Sequence, residues 1–437
     1  MFLQTSQASV NDQHELTLDG VSLVKLKEKY GTPLYIMSEG HIRQQMNTLK
    51  TQFLDRYPNV LPLFASKSFS CLAIYRLASE YGIGVDCVSA GEISIALKAG
   101  FDPEKIYFHG NNKLPSEIRY ALSHGVNHFV VDNFYELELC EQIGSELDQK
   151  IYATVRVTPG VESGAHVYIQ TGAKDTKFGF SSHDDSYLKA VEQILKSNYI
   201  VFEGLHCHIG SQIFDLQAYI SAMEKFVQFA LEIKNRFGVT IRKLNAGGGF
   251  GIAYHKDDHP LDFDVITAAI MSTIQTGFMQ HDMPMPMVLI EPGRFVVGNA
   301  GITLYEIGSY KDIPGVRKYI SVDGGMNDNI RTALYDAKYE AVVVNKADAQ
   351  CDTLVTVAGK NCESGDILIR DILLADPQPG DLLAIFSTGA YNYTMSSNYN
   401  QIPRPPVVFT YEGKDRLVVR GQTFDDLVLF DVEEDES

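Results

Sequence analysis

Between residues 61 and 294 the chain repeats one unit eight times: a short apolar run, then an amphipathic stretch. The runs are LPLFASK (61–67), GVDCVS (84–89), KIYFHG (105–110), HFVVDN (128–133), YATVRVTP (152–159), VFEGLHCHIGS (201–211), RKLNAGGG (242–249) and MVLIEPGR (287–294). Each is rich in Val, Ile, Leu or Phe and has the length of a strand. The stretches between them carry helix patterns. AGEISIALKAG (90–100) spaces its apolar residues helically, with Glu92 in the first turn and Gly100 at the end. LQAYISAMEKFVQFALEIKNRFG (216–238) is a long amphipathic pattern closed by Gly238. Eight strand–helix units in series predict a (β/α)8 barrel of the α/β class.

A barrel does not use up 437 residues, a length that suggests about two domains. After Gly298 the pattern changes. Strand-like runs such as GITLYEIGSYK, YISVDGG, AVVVNK, DTLVTVAG, DLLAIFSTG, PPVVFTYEG and DRLVVRG follow one another with turn residues between them and few helices. They predict a second, mostly antiparallel β domain. One further run, PLYIMSE (33–39), precedes the barrel. The expected organisation is a barrel over 31–299, with residues 1–30 joining 300–437 in the β domain.

The balance of charge narrows the function. A formal net charge of −18 argues against nucleic acid or an anionic membrane surface as a partner. Much of the excess lies in the tail DVEEDES (431–437), which reads as a frayed, solvated end. No apolar run is long enough to span a bilayer, and the start, MFLQTSQASVNDQHEL, does not read as a signal peptide. Six scattered cysteines without a CxxC pair favour reduced thiols and a cytoplasmic protein.

Active sites of such barrels sit at the C-terminal ends of the strands. The first strand ends in Lys67, the fifth passes Arg156, and the sixth runs into His206-Cys207-His208-Ile209-Gly210-Ser211. The seventh ends in Gly247-Gly248-Gly249-Phe250-Gly251 and the eighth in Glu291-Pro292-Gly293-Arg294. Taken singly, each has an ordinary structural role open to it: a lysine paired with a carboxylate, a core histidine, a turn, a surface ion pair. His206 and His208 share a strand face and Cys207 faces the other way, which is poor geometry for a joint zinc site. The glycines after strand seven do not complete G-x-G-x-x-G, because Ile252 takes the last position. Taken together, the residues are a lysine able to form a Schiff base, a glycine-rich phosphate cradle with an arginine, an acid for a ring nitrogen and a histidine to stack on a ring. These are the parts needed to hold pyridoxal phosphate.

The lysine of FASK, then GLHCHIGSQ, NAGGGFG, EPGR, NCESGD and TGAY, in this order, resemble the fold-type III pyridoxal-phosphate-dependent decarboxylases, and among them the diaminopimelate decarboxylase branch. TGAKDTKFGF, VDGGMNDNIRTALYDA and YNQIPRP are also similar to that branch, so the resemblance covers nearly the whole chain. It implies decarboxylation of meso-2,6-diaminopimelate to L-lysine and CO2, the last step of lysine biosynthesis. It implies that Lys67 carries the cofactor covalently, that His208 stacks on its ring with Ser211 assisting, and that Glu291 meets the pyridine nitrogen. Gly249, Gly293 and the backbone after Glu291 would hold the phosphate beside Arg294. Arg294, Arg331 and Tyr335 would bind the distal carboxylate end of the substrate, Glu363 an amine of it, and Tyr391 both cofactor and substrate. Cys362 would be the proton donor. It also implies a homodimer with shared active sites and no metal.

The chain departs from the polyamine-forming relatives, which usually follow the lysine with an Asn-containing segment and carry Asp after the Cys. Here Ser68-Phe69-Ser70 follow Lys67, and Glu363 follows Cys362. Both differences favour diaminopimelate over an ornithine- or arginine-type substrate. A non-catalytic decarboxylase-like regulator would be expected to have lost Lys67 or Cys362. An amino-acid racemase would fit the barrel but not NCESGD.

Overall fold

The computed structural model describes residues 5–160 and 176–432. The first five residues of TGAKDTKFGF and the last five of the acidic tail lie outside the described residues, and so does the frayed end expected there. The chain divides into two compact units: Gln45–Ile252 with His259–Phe295, and Met1–Gln44 with Ala253–Asp258 and Val296–Ser437.

In the first unit, strands Val60–Ala65, Gly84–Cys87, Ile106–Phe108, His128–Val131, Ile151–Thr158, Ile200–His206, Lys243–Asn245 and Met287–Ile290 pair in parallel in chain order. Val288 pairs back onto Val60 and closes the ring. Closure leaves no sheet edge among the eight strands. Helices begin where the sequence supplies caps. The Ser89 side chain accepts from the Glu92 N–H ahead of Ala90–Lys98, and Asn133 does the same for Glu136 ahead of Phe134–Leu147. Each such cap contributes about 1 kcal/mol. The long helix Leu216–Phe237 stops at Gly238, whose φ of 71° is a left-handed conformation that glycine adopts without strain.

The two ends of the barrel treat charge differently. Near the N-terminal ends the charges satisfy one another: Lys243 Nζ lies 2.6 Å from Glu203 Oε2, and His128 Nδ1 lies 3.2 Å from the same oxygen. The Lys243 ammonium also sits over the Tyr107 ring, which stacks on His128. Leu61, Leu63, Tyr107 and Leu289 form an apolar cluster in this unit.

The second unit is built on the long strand Gly301–Ile313, which pairs antiparallel with Leu34–Ser38, Leu382–Phe386 and Arg317–Val322. The sheet is mixed rather than purely antiparallel. Arg317–Val322 runs parallel to Thr353–Ala358, and Leu34–Ser38 runs parallel to Val407–Tyr411. Thr353–Ala358 turns back as Ile367–Leu374, making a hairpin whose tip contains Cys362 and Glu363. The first barrel boundary, expected at residue 31, is corrected to near Gln44, because the fully buried strand Leu34–Ser38 belongs to this sheet. Among its described residues, the N-terminal segment adds no strand to the large sheet. Ala8–Val10, Leu16–Leu18 and Val21–Ser22 make a small sheet of their own. Leu16, Leu18 and Leu23 join Leu34, Ile36 and Leu304 in one core. Fully burying each such leucine contributes about 1.5–3 kcal/mol.

Candidate active site

Lys67 lies in a single 3-10 turn, Ser66–Ser68, directly after the first barrel strand. The turn is pinned on both sides of the lysine. Ser66 Oγ donates to the Asp86 carbonyl, and Ser68 Oγ donates to the Ala65 carbonyl at 2.7 Å. The Lys67 cation counteracts the effect of burial on three nearby carboxyls, Asp86, Glu92 and Glu291.

Glu291, at the end of strand eight, is buried. Its Oε1 accepts from Asn245 Nδ2 at 2.7 Å, and Asn245 Oδ1 in turn accepts from the Gly247 N–H at 2.9 Å. His206 Nε2 and His109 Nε2 stand 3.1 and 3.3 Å from the same Oε1. Neither N–H is aligned for a hydrogen bond, and burial together with nearby cations pushes both imidazoles well below their ordinary range, so both are neutral. Burial raises the Glu291 carboxyl, with Lys67, Arg156 and Asn245 opposing the shift. Asp86 is pushed up to about 7 by burial and by the Glu291 charge. Two acids, two neutral histidines, Lys67 and Arg156 thus converge at one end of the barrel.

The sixth and seventh strand ends interlock. The Gly248 N–H donates to His208 Nδ1 at 3.2 Å, which leaves the His208 proton on Nε2. Burial, then Lys67 and Arg156, keep the His208 ring neutral. A Cβ on Gly248 would lie 2.4 Å from the Glu291 carbonyl oxygen, so only glycine fits there. Gly249 has φ of +98°, and a Cβ on it would lie 2.7 Å from the Gly210 carbonyl oxygen. Buried Arg294 donates from Nη2 to Ser211 Oγ at 3.0 Å, which ties the loop after strand eight to the loop after strand six. Gly293 packs between Ala65 and Ser68, beside the lysine turn.

Lys67, His208, Ser211, Gly249, Glu291, Gly293 and Arg294 all lie in the barrel unit. Arg331, Tyr335, Cys362, Glu363 and Tyr391 all lie in the β unit. Arg331 opens the short helix Arg331–Tyr335 and is buried. Its Nη1 donates to Tyr254 and Tyr339 hydroxyls at 3.0 Å each, and its guanidinium lies over the Tyr254 and Tyr335 rings. Burial opposes the charge, but the Tyr254 and Tyr339 phenols outweigh it and hold the guanidinium above its ordinary pKa. Among the described residues Arg331 forms no ion pair with an acid. Tyr391 has φ of +61° and is half-buried. Cys362 and Glu363 are exposed. The Cys362 N–H donates to Asn400 Oδ1 at 2.8 Å, and Glu363 Oε1 accepts from the Gly365 N–H at 3.1 Å.

Several residues of these clusters had no role assigned from sequence. Asp86 and His109 stand at the ends of strands two and three, where the strand-end rule already pointed. Asn245 opens the NAGGG run. Tyr254 had no sequence signal: it lies 77 positions from Arg331 and meets it because Ala253–Asp258 belongs with the β unit.

Residues 39–298 match the family model described as pyridoxal-dependent decarboxylase, pyridoxal binding domain. The chain is 46% identical to the diaminopimelate decarboxylase of Bacillus subtilis over 99% of its own length and 98% of that protein's. The chain belongs to the diaminopimelate decarboxylase family. Among solved structures it is similar to the diaminopimelate decarboxylase of M. jannaschii in complex with L-lysine, with a TM-score of 0.92 and 34% identity over the whole of both chains. It is also similar to the Helicobacter pylori enzyme complexed with L-lysine, with a TM-score of 0.84 and 31% identity over 93% of this chain and 98% of that one. Membership brings pyridoxal phosphate as cofactor, and the barrel residues fit it. Both Asp86 carboxyl oxygens and both His206 ring nitrogens are buried without hydrogen-bond partners among the described residues. Proteins keep such atoms mainly where a ligand or water completes the set. Gly249, at the end of strand seven, has no side chain to hold an anion away from the backbone.

Proposed function

We infer that this chain decarboxylates meso-2,6-diaminopimelate to L-lysine and CO2. The observation that carries the substrate assignment is Arg331: a buried cation whose described hydrogen-bond partners are two phenols. A buried charge of this kind calls for an anion, and the distal carboxylate of diaminopimelate supplies one that ornithine lacks.

Pyridoxal phosphate, when bound, supplies an electron sink for the pair left behind by the departing CO2. Lys67 Nζ is the residue we assign to hold it covalently. Glu291, steadied at Oε1 by Asn245, keeps the proton on the ring nitrogen. Neutral His208 offers a flat ring face. Ser211, Gly249, Gly293 and Arg294 would hold the cofactor's phosphate. Arg331 and Tyr335, with Arg294, take the distal carboxylate end, Glu363 takes an amine, and Tyr391 contacts both cofactor and substrate. The Cys362 thiol gives its proton to the α carbon that has lost CO2.

A homodimer with shared sites, working in the cytoplasm, completes the reading. Two observations support it. The proposed proton donor and amine ligand are exposed on a hairpin tip of their own chain, as expected of groups that a partner covers. All six cysteines are free, as in a reducing compartment. The test is the product formed from meso-diaminopimelate with added pyridoxal phosphate, together with borohydride fixation of the cofactor. L-lysine and a label on Lys67 are expected. A product other than lysine, or a label on another lysine, sinks the assignment.

A further inference from the structure

The hairpin tip that carries Cys362 and Glu363 is closed by a buried carboxylate, Asp366, only 3% exposed. Its Oδ1 accepts from the Met326 backbone N–H at 2.7 Å. Its Oδ2 accepts from the Asn361 backbone N–H at 2.8 Å and from Asn361 Nδ2 at 2.9 Å. Its own N–H donates to the Glu363 carbonyl at 3.1 Å, and its carbonyl accepts from the Gly359 N–H at 3.0 Å. Two stretches distant in sequence therefore meet on one side chain: the hairpin tip, and the segment 324–330 that leads into Arg331. Two further bonds run beside it, Lys360 N–H to the Gly324 carbonyl at 2.8 Å and Asn361 Nδ2 to Asn327 Oδ1 at 2.9 Å. The sequence also makes room for the carboxylate. A Cβ on Gly359 would lie 2.2 Å from Asp366 Oδ2, and one on Gly325 would lie 2.5 Å from it.

We propose that Asp366 is a positioning residue for the reaction: it clasps the Cys362–Glu363 turn to the segment leading into Arg331, so that the proton donor and the distal-end ligands are set as one piece. The proposal rests on the roles inferred above for Cys362 and Arg331. Residues 362–365 are all exposed, and an exposed turn of this length samples many conformations unless its ends are tied. Three N–H donors on one carboxylate are strong, directional ties. Small displacements of a proton donor or a substrate ligand reduce rate steeply, which is how a group that touches neither can matter.

The test compares holoenzymes carrying Asp366→Asn, Asp366→Ala, Cys362→Ala, and Cys362→Ala combined with Asp366→Asn. The Asn side chain keeps the shape but turns one acceptor into a donor facing an N–H. Asp366→Asn is expected to keep its bound-cofactor absorbance and to lose about thirtyfold in kcat/KM, with kcat lowered and KM raised. In the double variant kcat should fall no further than in Cys362→Ala, because Asp366 acts on that step through Cys362, while KM still rises. Full additivity in kcat overturns the proposal. So does an Asp366→Asn enzyme within threefold of wild type. If both Asp366 variants are insoluble or lack cofactor, Asp366 is a folding residue and the proposal is also overturned. Wild-type kcat in Cys362→Ala would instead overturn the role of Cys362. A raised KM in Asp366→Asn would then still support the clasp on the Arg331 side.

Discussion

Replacing Arg331 probes the assignment of substrate directly. The guanidinium is buried, its described hydrogen bonds go to Tyr254 and Tyr339, and it forms no ion pair with an acid among the described residues. Truncating one partner of a buried, hydrogen-bonded charge pair costs about 2–5 kcal/mol. At about 1.4 kcal/mol per tenfold, that is a loss of about thirtyfold to a few thousandfold in kcat/KM for Arg331→Ala. The distal carboxylate does not react, so its contact is made equally in ground and transition states. Most of the loss should therefore appear as a raised KM. Arg331→Lys keeps the charge but not the planar two-pronged donor, and is expected to lose about tenfold.

The control is a substrate without that carboxylate. Forming L-lysine from the meso compound removes the carboxyl at the D centre, so D-lysine is the analogue that keeps the reacting end and lacks the distal acid. The wild type should use D-lysine very poorly, because the Arg331 charge is left unmatched. In Arg331→Ala the activity on D-lysine should change little, and the preference for diaminopimelate should collapse by the same factor as kcat/KM. Melting temperature and cofactor absorbance are recorded alongside, since Tyr254 loses a hydrogen-bond partner while Tyr339 keeps Asn392. An Arg331→Ala enzyme that binds cofactor and stays within threefold of wild type on diaminopimelate refutes the reasoning.

Three other outcomes follow from the structure. Gly248→Ala places a Cβ 2.4 Å from the Glu291 carbonyl oxygen, a backbone atom with nowhere to go, and should weaken cofactor binding at least tenfold by fluorescence titration; an unchanged affinity counts against the cradle. Burial pushes Asp328 up to about 8, so between about pH 4 and 8 the native state holds a proton that the unfolded chain has released, and native stability falls as pH rises across that window. The melting temperature of Asp328→Asn relative to wild type should therefore climb from pH 5 to pH 8 and level off above it, whereas a constant offset would mean that the carboxyl is already ionised. Refolding Lys67→Ala with Cys362→Ala should restore roughly a quarter of wild-type activity if sites are shared, because about half of randomly paired dimers are mixed and each has one intact site. Activity at background, with mixed dimers demonstrated, rules shared sites out.

The barrel was legible because its signal is periodic and local. Each strand is a run of apolar residues, and each helix carries its own stop signal, as Gly238 does. The first domain boundary was not legible, because LYIMS is buried along its whole length and nothing local says which sheet it joins. The site was readable to the extent that it sits at strand ends. Lys67, His208, Gly249 and Glu291 fall there by rule, and Asp86 and His109 fall there too, although no role was read for them. What the sequence withheld is the set of partners that depend on chain-distant contacts: Tyr254 on Arg331, Asn400 on Cys362, and Asp366 on Met326.

The division of residues between the two units separates the residues proposed to anchor the cofactor from most of those proposed to read the substrate. The described hydrogen bonds of the Lys67 turn, Glu291, His208 and the loop after strand eight are made within the barrel unit. Arg331, Cys362 and Glu363 are fixed by contacts within the β unit. A substitution in the first group should therefore show itself without any substrate, in the affinity or absorbance of the cofactor. One in the second group should leave those readings alone and appear only in turnover and in the preference among amino acids. This arrangement explains how a family that shares the barrel can differ in substrate: a change such as Asp to Glu after the cysteine, at Glu363 here, alters a residue that no cofactor-holding contact depends on. Exchanging Glu363 for Asp should accordingly shift relative kcat/KM among diamino acids while cofactor binding stays within twofold, and a matched loss of cofactor affinity would show that the two groups are not separable.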